Sequence, residues 1–255
     1  MLALLLVMGS CGDDSAAPGG FDAPIVPDAP SFTDGSMTTD GSGMVDAHFI
    51  DGPCDERDGG VCCSRRRIYL NFDGVDLVAD NAMNDARTGH TFLIMSNKTV
   101  PPFLSGAAGR DTVINGIVMQ LQTQLAGYDV ELTRTRPGAG DYMMITFGGD
   151  SATILGTAGF GAFGPLDCGD TNLDDIALVF DSNNIIGTAN SAMFVLGISL
   201  GLSTTTLMGD CLSTMPAATP CTLSTAAPLA TTGVCTGAPS PQNEPAAFGA
   251  DLRCR

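Results

Sequence analysis

The chain has 255 residues, 44% of them hydrophobic and 15% charged, with a net charge of −17. That is enough apolar material for one or two domains with a real core. It excludes a nucleic-acid binder, because phosphate contacts need clustered Lys and Arg: Lys98 is the single lysine, and the one basic cluster, Arg65-Arg66-Arg67, reads as the solvated start of a strand.

The first residues are a short apolar run that leads into a small-small-Cys box, Gly9-Ser10-Cys11. The run is too short to span a bilayer. It resembles the end of a bacterial lipoprotein signal peptide whose basic leader region is missing, as in a truncated start. The resemblance implies a signal peptide over residues 1–11, lipidation of Cys11, and a membrane partner reached through that anchor; an ordinary secretory leader cut elsewhere stays open. Residues 12–61 are rich in Asp, Gly, Ser and Pro, with Arg57 as the one basic residue. Such a segment buries too little apolar surface to offset chain entropy and reads as a disordered acidic tether. Residues 62–255 then form the domain. Without Cys11, eight cysteines remain: Cys54, Cys62, Cys63, Cys168, Cys211, Cys221, Cys235 and Cys254. An even set in an exported chain predicts disulfides; a Cys-rich zinc site is the alternative, but no C-x-x-C pair exists. The pairing stays open.

Within the domain, Ile68 to Phe72 alternates, Asp73-Gly74 is a turn, and Val75 to Leu77 alternates again, which predicts a strand and hairpin. Thr91 to Met95 is a short strand or part of an insertion, and His90 before it reads as a surface residue. After Pro101-Pro102, Asp111 is placed to cap a helix that carries Val113, Ile114, Ile117, Val118, Leu121 and Leu125 and stops at Gly127. Val130 to Thr135 and Asp141 to Phe147 predict two further strands. Residues 149–175 are Gly-rich without a phosphate-loop pattern. Asp170, Asn172 and Asp174 have the first spacings of a calcium loop, with Asp175 where Gly belongs; turn and capping chemistry accounts for them equally. Ile176 to Phe180 is a continuous apolar run fit for a central strand.

The stretch from Ala189 to Ser203 is the longest apolar run after the N-terminus and holds no charge and no His. Two patterns overlay it. The first is the metzincin zinc helix, H-E-x-x-H-x-x-G-x-x-H. Phe194 falls at the first His, Val195 at the general-base Glu, Ile198 at the second His, Gly201 at the Gly, and Thr204 at the third His. The frame A-N-x-x-x-H-E-x-G-H-x-x-G-L is otherwise filled by Ala189-Asn190, Leu196-Gly197 and Leu200-Gly201-Leu202. Further on, Asp210-Cys211-Leu212 resembles the start of the Met-turn that floors a metzincin zinc site, with Leu212 where Met is expected. The second pattern is Gly197-Ile198-Ser199-Leu200-Gly201, a match to G-x-S-x-G. A hydrolase elbow needs a His after the Ser, and both histidines, His48 and His90, precede it. The other reading of Ser199 is a buried helical serine bonded back to a carbonyl one turn earlier.

The chain is thus similar to a secreted bacterial metzincin-like zinc peptidase whose ligands are replaced by apolar residues. The resemblance implies an α+β fold: a twisted mixed sheet, an amphipathic helix, a central former zinc helix, and an irregular disulfide-linked C-terminal subdomain. Zinc is the family's cofactor, but catalysis needs about three lone-pair ligands and a carboxylate base. The expectation is therefore no catalytic residue, no metal ligand and no cofactor, and an inactive domain of the cell envelope or exterior that binds or scaffolds a peptide or protein. The alternatives are an active hydrolase, with relocated zinc ligands or with Ser199, and a structural lipoprotein unrelated to peptidases.

Overall fold

The computed structural model describes residues 65–214 and 217–252. The lipoprotein-like box with Cys11, the tether, His48, and Cys54, Cys62, Cys63 and Cys254 lie outside the described residues.

The main sheet has five strands. Strand β1 (Arg66–Asn71) pairs in parallel with β6 (Val130–Thr133) on one side and β7 (Met143–Phe147) on the other. Strand β9 (Ile176–Val179) pairs in parallel with β7, and the two-residue β8 (Ala162–Phe163) runs antiparallel along β9 as the edge. The order is β6-β1-β7-β9-β8. Every residue of β7 and β9 is buried, as expected of strands covered on both faces. The period of two divides them: Ile68, Leu70, Met143, Ile145, Ala177 and Val179 join one core, while Tyr69, Met144, Ile176 and Leu178 join another.

On the second face lies a sheet of short strands: β2 (Val75–Ala79), β3 (Asn84–Asp85), β4 (His90–Thr91) and β5 (Lys98–Val100), in the order β3-β4-β2-β5. This corrects the predicted hairpin. Asp73-Gly74 does turn the chain, but Val75 pairs with Val100 and not with β1. Gly74 has φ +84°, and a Cβ there would meet the Val100 carbonyl oxygen at 2.8 Å. The predicted strand from Thr91 to Met95 ends at Thr91; its hydroxyl donates to Asn84 Oδ1 at 2.7 Å and anchors the β3–β4 ribbon.

Two long helices cover the first face, while a short one packs its Ile154 into the second core. Helix α1 (Arg110–Gln124) buries Ile114, Ile117 and Leu121, the i, i+3, i+7 stripe of an amphipathic helix. Asp111 does not cap it. Gly109, in the left-handed region, is the N-cap, and Asp111 sits in the first turn, where its charge suits the helix dipole. Helix α2 (Ser151–Leu155) starts at Asp150, whose side chain accepts the Thr153 N–H at 2.9 Å. Helix α3 (Ile185–Ser199) begins four residues before the predicted start, where Asn184 accepts the Gly187 N–H at 3.0 Å. It is buried from Ala192 to Ser199, which is what an apolar helix without a polar face requires. It packs on α1 so closely that a Cβ on Gly116 would meet Ile185 Cδ1 at 2.7 Å.

Beyond α3 the chain is irregular until helix α4 (Glu244–Asp251). Two disulfides, Cys168–Cys235 and Cys211–Cys221, fasten this part. The described domain is thus α+β, with a mixed sheet and a disulfide-linked C-terminal part.

Candidate functional site

The positions that overlay the zinc motif converge. Phe194, Ile198 and Thr204 line one small cavity with Phe163, Gly164 and Leu166, the residues at and after the edge strand β8. Helical spacing puts Phe194 and Ile198 on one face of α3. Thr204 arrives from the loop after the helix. Its N–H donates to the Gly233 carbonyl at 2.9 Å, and its hydroxyl donates to the Thr232 carbonyl. Val195, at the general-base position, is fully buried beneath Gly164, where a Cβ would lie 3.2 Å from Val195 Cβ.

The cavity measures about 20 Å³, roughly the space of one water molecule. A zinc ion does not fit its donor set. Phe194, Val195 and Ile198 offer no lone pairs, and the Thr204 hydroxyl is engaged with a carbonyl. Among the described residues that line the cavity there is no carboxylate and no imidazole. Among the described residues, no three His, Cys, Asp or Glu side chains come together to hold a metal ion.

The glycines of the motif frame have local causes. Gly201 ends the helix region with φ +84°, and a Cβ there would lie 2.7 Å from the Gly169 nitrogen and 2.8 Å from the Asp167 oxygen. Gly197 faces Leu212, whose Cδ2 would meet a Cβ at 2.3 Å. Leu212, fully buried, therefore packs directly against α3 at Gly197. Its own turn is held by Asp210 Oδ1, which accepts the Leu212 N–H at 2.7 Å and the Thr205 hydroxyl at 3.1 Å. Asn190 ties α3 to the same region: its Oδ1 accepts from Gln124 Nε2 at 3.2 Å and from the Cys221 N–H at 2.9 Å, and its Nδ2 donates to the Thr219 carbonyl at 2.9 Å.

Ser199 is fully buried, and its hydroxyl finds no hydrogen-bond partner, so the expected bond back along the helix is absent. His90 belongs to the small sheet on the other face, with Nδ1 3.2 Å from Asp80 Oδ2. The calcium-like trio disperses. Asp170 pairs with Arg66 at 3.1 Å, Asp174 with Arg87 at 2.9 Å, and Asn172 Nδ2 donates to Asp175 Oδ1 at 2.7 Å. Turn chemistry claims these residues instead: Asp167 Oδ2 accepts the Asn172 N–H at 2.7 Å.

Sequence reasoning did not find Phe163, Gly164 and Leu166 as wall residues, nor Gly233, which comes from the irregular C-terminal part. The signal for the first group was the position of the Gly-rich loop before the central strand. Gly233 had none. It also passed over Asn84, and named Asp175 only as a departure from the calcium-loop pattern; the two meet across 91 residues of chain at 2.9 Å.

No known family model matches the chain, and no curated protein matches it.

Proposed function

We propose that residues 62–255 form a metzincin-like domain that lacks zinc ligands and general base and acts as a non-catalytic binding or scaffold domain, lipid-anchored through Cys11 in the cell envelope or outside the cell. One observation carries this reading. Three positions that a zinc helix would give to histidine, Phe194, Ile198 and Thr204, share one cavity although Thr204 lies outside the helix. A chance overlay on an unrelated helix gives no reason for the third position to reach the other two. The strand, helix, strand, strand order of β1, α1, β6 and β7, counted within the main sheet, agrees with it. So does the turn at Leu212 beneath Gly197.

The disulfides point to an oxidising, extracellular or periplasmic compartment. No helix among the described residues is long and apolar enough to cross a membrane. A peptide partner would add a strand to the edge of β8 beside the filled cavity, with main-chain hydrogen bonds supplying affinity.

The test is restoration. The variant Phe194→His, Ile198→His, Thr204→His is expected to take up one zinc per chain, and cobalt in its place should give the intense visible absorption of a tetrahedral site. A folded triple variant that binds neither metal overturns the alignment and the reading built on it.

A further inference from the structure

A cleft of about 340 Å³ lies between the β3 turn and the segment that joins β8 to β9. Its walls are apolar at Met83, Phe92 and Leu166 and acidic at Asp85, Asp167, Asp174 and Asp175. Asp175 is 1% exposed. Its Oδ1 accepts from Asn84 Nδ2 at 2.9 Å and Asn172 Nδ2 at 2.7 Å. Its Oδ2 is buried with no hydrogen-bond partner in the protein, a state that costs the full desolvation of the group. Two side-chain amides thus hold one oxygen of a residue that lines the cleft and leave the other buried and unused behind the cleft wall.

The chemistry of the lining selects the ligand class. Arg87 is the cation of the lining, and it already faces Asp174 at 2.9 Å and Asp85 and Asp141 at 3.4 Å each. An anionic ligand finds no unspent positive charge. A metal ion finds no convergent set of three ligands among the described residues. A primary ammonium needs less: it brings three donors of its own, and its methylene stem is compatible with apolar walls. We propose that this cleft binds a primary alkylammonium group, carried by a free alkylamine or a lysine side chain, with Asp175 Oδ2 accepting its hydrogen bond.

Binding is coupled to a proton. Burial pushes the Asp175 carboxyl up to about 8; the charge of Asp167 adds to this, while the hydrogen bonds from Asn84 and Asn172 and the charge of Arg66 oppose it. At pH 7 the ligand-free carboxyl is mostly protonated. An ammonium favours the carboxylate, so the proton leaves to solvent as the ligand enters.

The experiment is calorimetric titration of the full chain at pH 7 with n-butylamine and, separately, with Nα-acetyl-lysine methylamide, each in two buffers of different ionisation enthalpy. The expected result is saturable binding with release of about one proton per ligand, vanishing near pH 9. Asp175→Asn should weaken binding about ten-fold or more, and Glu131→Gln on the far edge strand should leave it unchanged. Tighter binding of the lysine derivative assigns the site to peptides; equal or weaker binding assigns it to free alkylamines. Absence of saturable binding by both amines overturns the proposal, as does binding that Asp175→Asn leaves unchanged or that calcium chloride alone reproduces. If Asp175→Asn does not fold, the proton count on the native chain decides: binding without proton release at pH 7 overturns it.

Discussion

Gly197 and Leu212 show how a single side chain sets the approach of helix α3 to the turn after it. Leu212 Cδ2 occupies the space that any Cβ at 197 would need, so the helix can approach the Asp210 turn only through glycine. Gly197→Ala gains up to about 1 kcal/mol of helix propensity and loses about 1–3 kcal/mol to overpacking. The expected net is destabilisation of about 1–2 kcal/mol by denaturant unfolding. In a Leu212→Ala background the same substitution should become neutral or stabilising, and a double-mutant cycle without coupling would contradict this packing. The apolar set at Phe194, Val195 and Ile198 follows the same logic. A buried Glu or His there without metal would have to find other partners, and the surroundings offer the carbonyl already engaged by Thr204. At this scale the motif positions and the two glycines were legible in the sequence, because the overlay fixes spacing. The partners of those residues were not: neither Thr232 nor Gly233 carries any pattern that would place it against Thr204.

Helix α3 is the element through which the domain is joined. It meets α1, the edge strand β8 and β9, and Asn190 connects it to the loop closed by Cys211–Cys221. Asn190→Ala strips an acceptor from the Cys221 N–H and from Gln124, and should cost about 1–3 kcal/mol. Native-state hydrogen exchange should show the Cys221 amide losing protection while amides of β7 keep theirs; unchanged exchange at Cys221 would show that the disulfide alone holds the loop. The sequence made α1 legible by its helical period, and β7, β9 and α3 by apolar runs bounded by turn residues. It misplaced β2, since alternation after Asp73-Gly74 looks the same whether the strand pairs with its neighbour or joins another sheet. Helix α2 was missed although Asp150 is a plain N-cap, because five residues carry too little period to read.

For the whole molecule, acidity and burial act together on pH dependence. Burial pushes Asp175 up to about 8 and raises Asp174, and burial likewise raises Glu244, which is also affected by Asp210. Their unfolded values are about 3.9 for Asp and 4.3 for Glu. Between these values and the raised ones the native state binds more protons than the unfolded chain, so stability is greatest near the lower end and falls as pH rises toward 8. Asp80 and Asp150 act oppositely, held low by the Ala82 N–H and the Thr153 hydroxyl respectively; their share is lost only as pH falls below about 4. Repulsion within a chain of net charge −17 adds to the alkaline loss. The melting temperature should therefore be lower at about pH 8.5 than at about pH 5.5, and the opposite order would mean that these carboxyls are ionised in the native state. The central claim, that this is a peptidase-like domain without a zinc site, has its own direct measurement. Elemental mass spectrometry of the full chain, purified oxidised and dialysed without chelator, should find no stoichiometric zinc. One zinc per chain would contradict it, and would place the metal on Asp, His or unpaired Cys residues away from Phe194, Ile198 and Thr204.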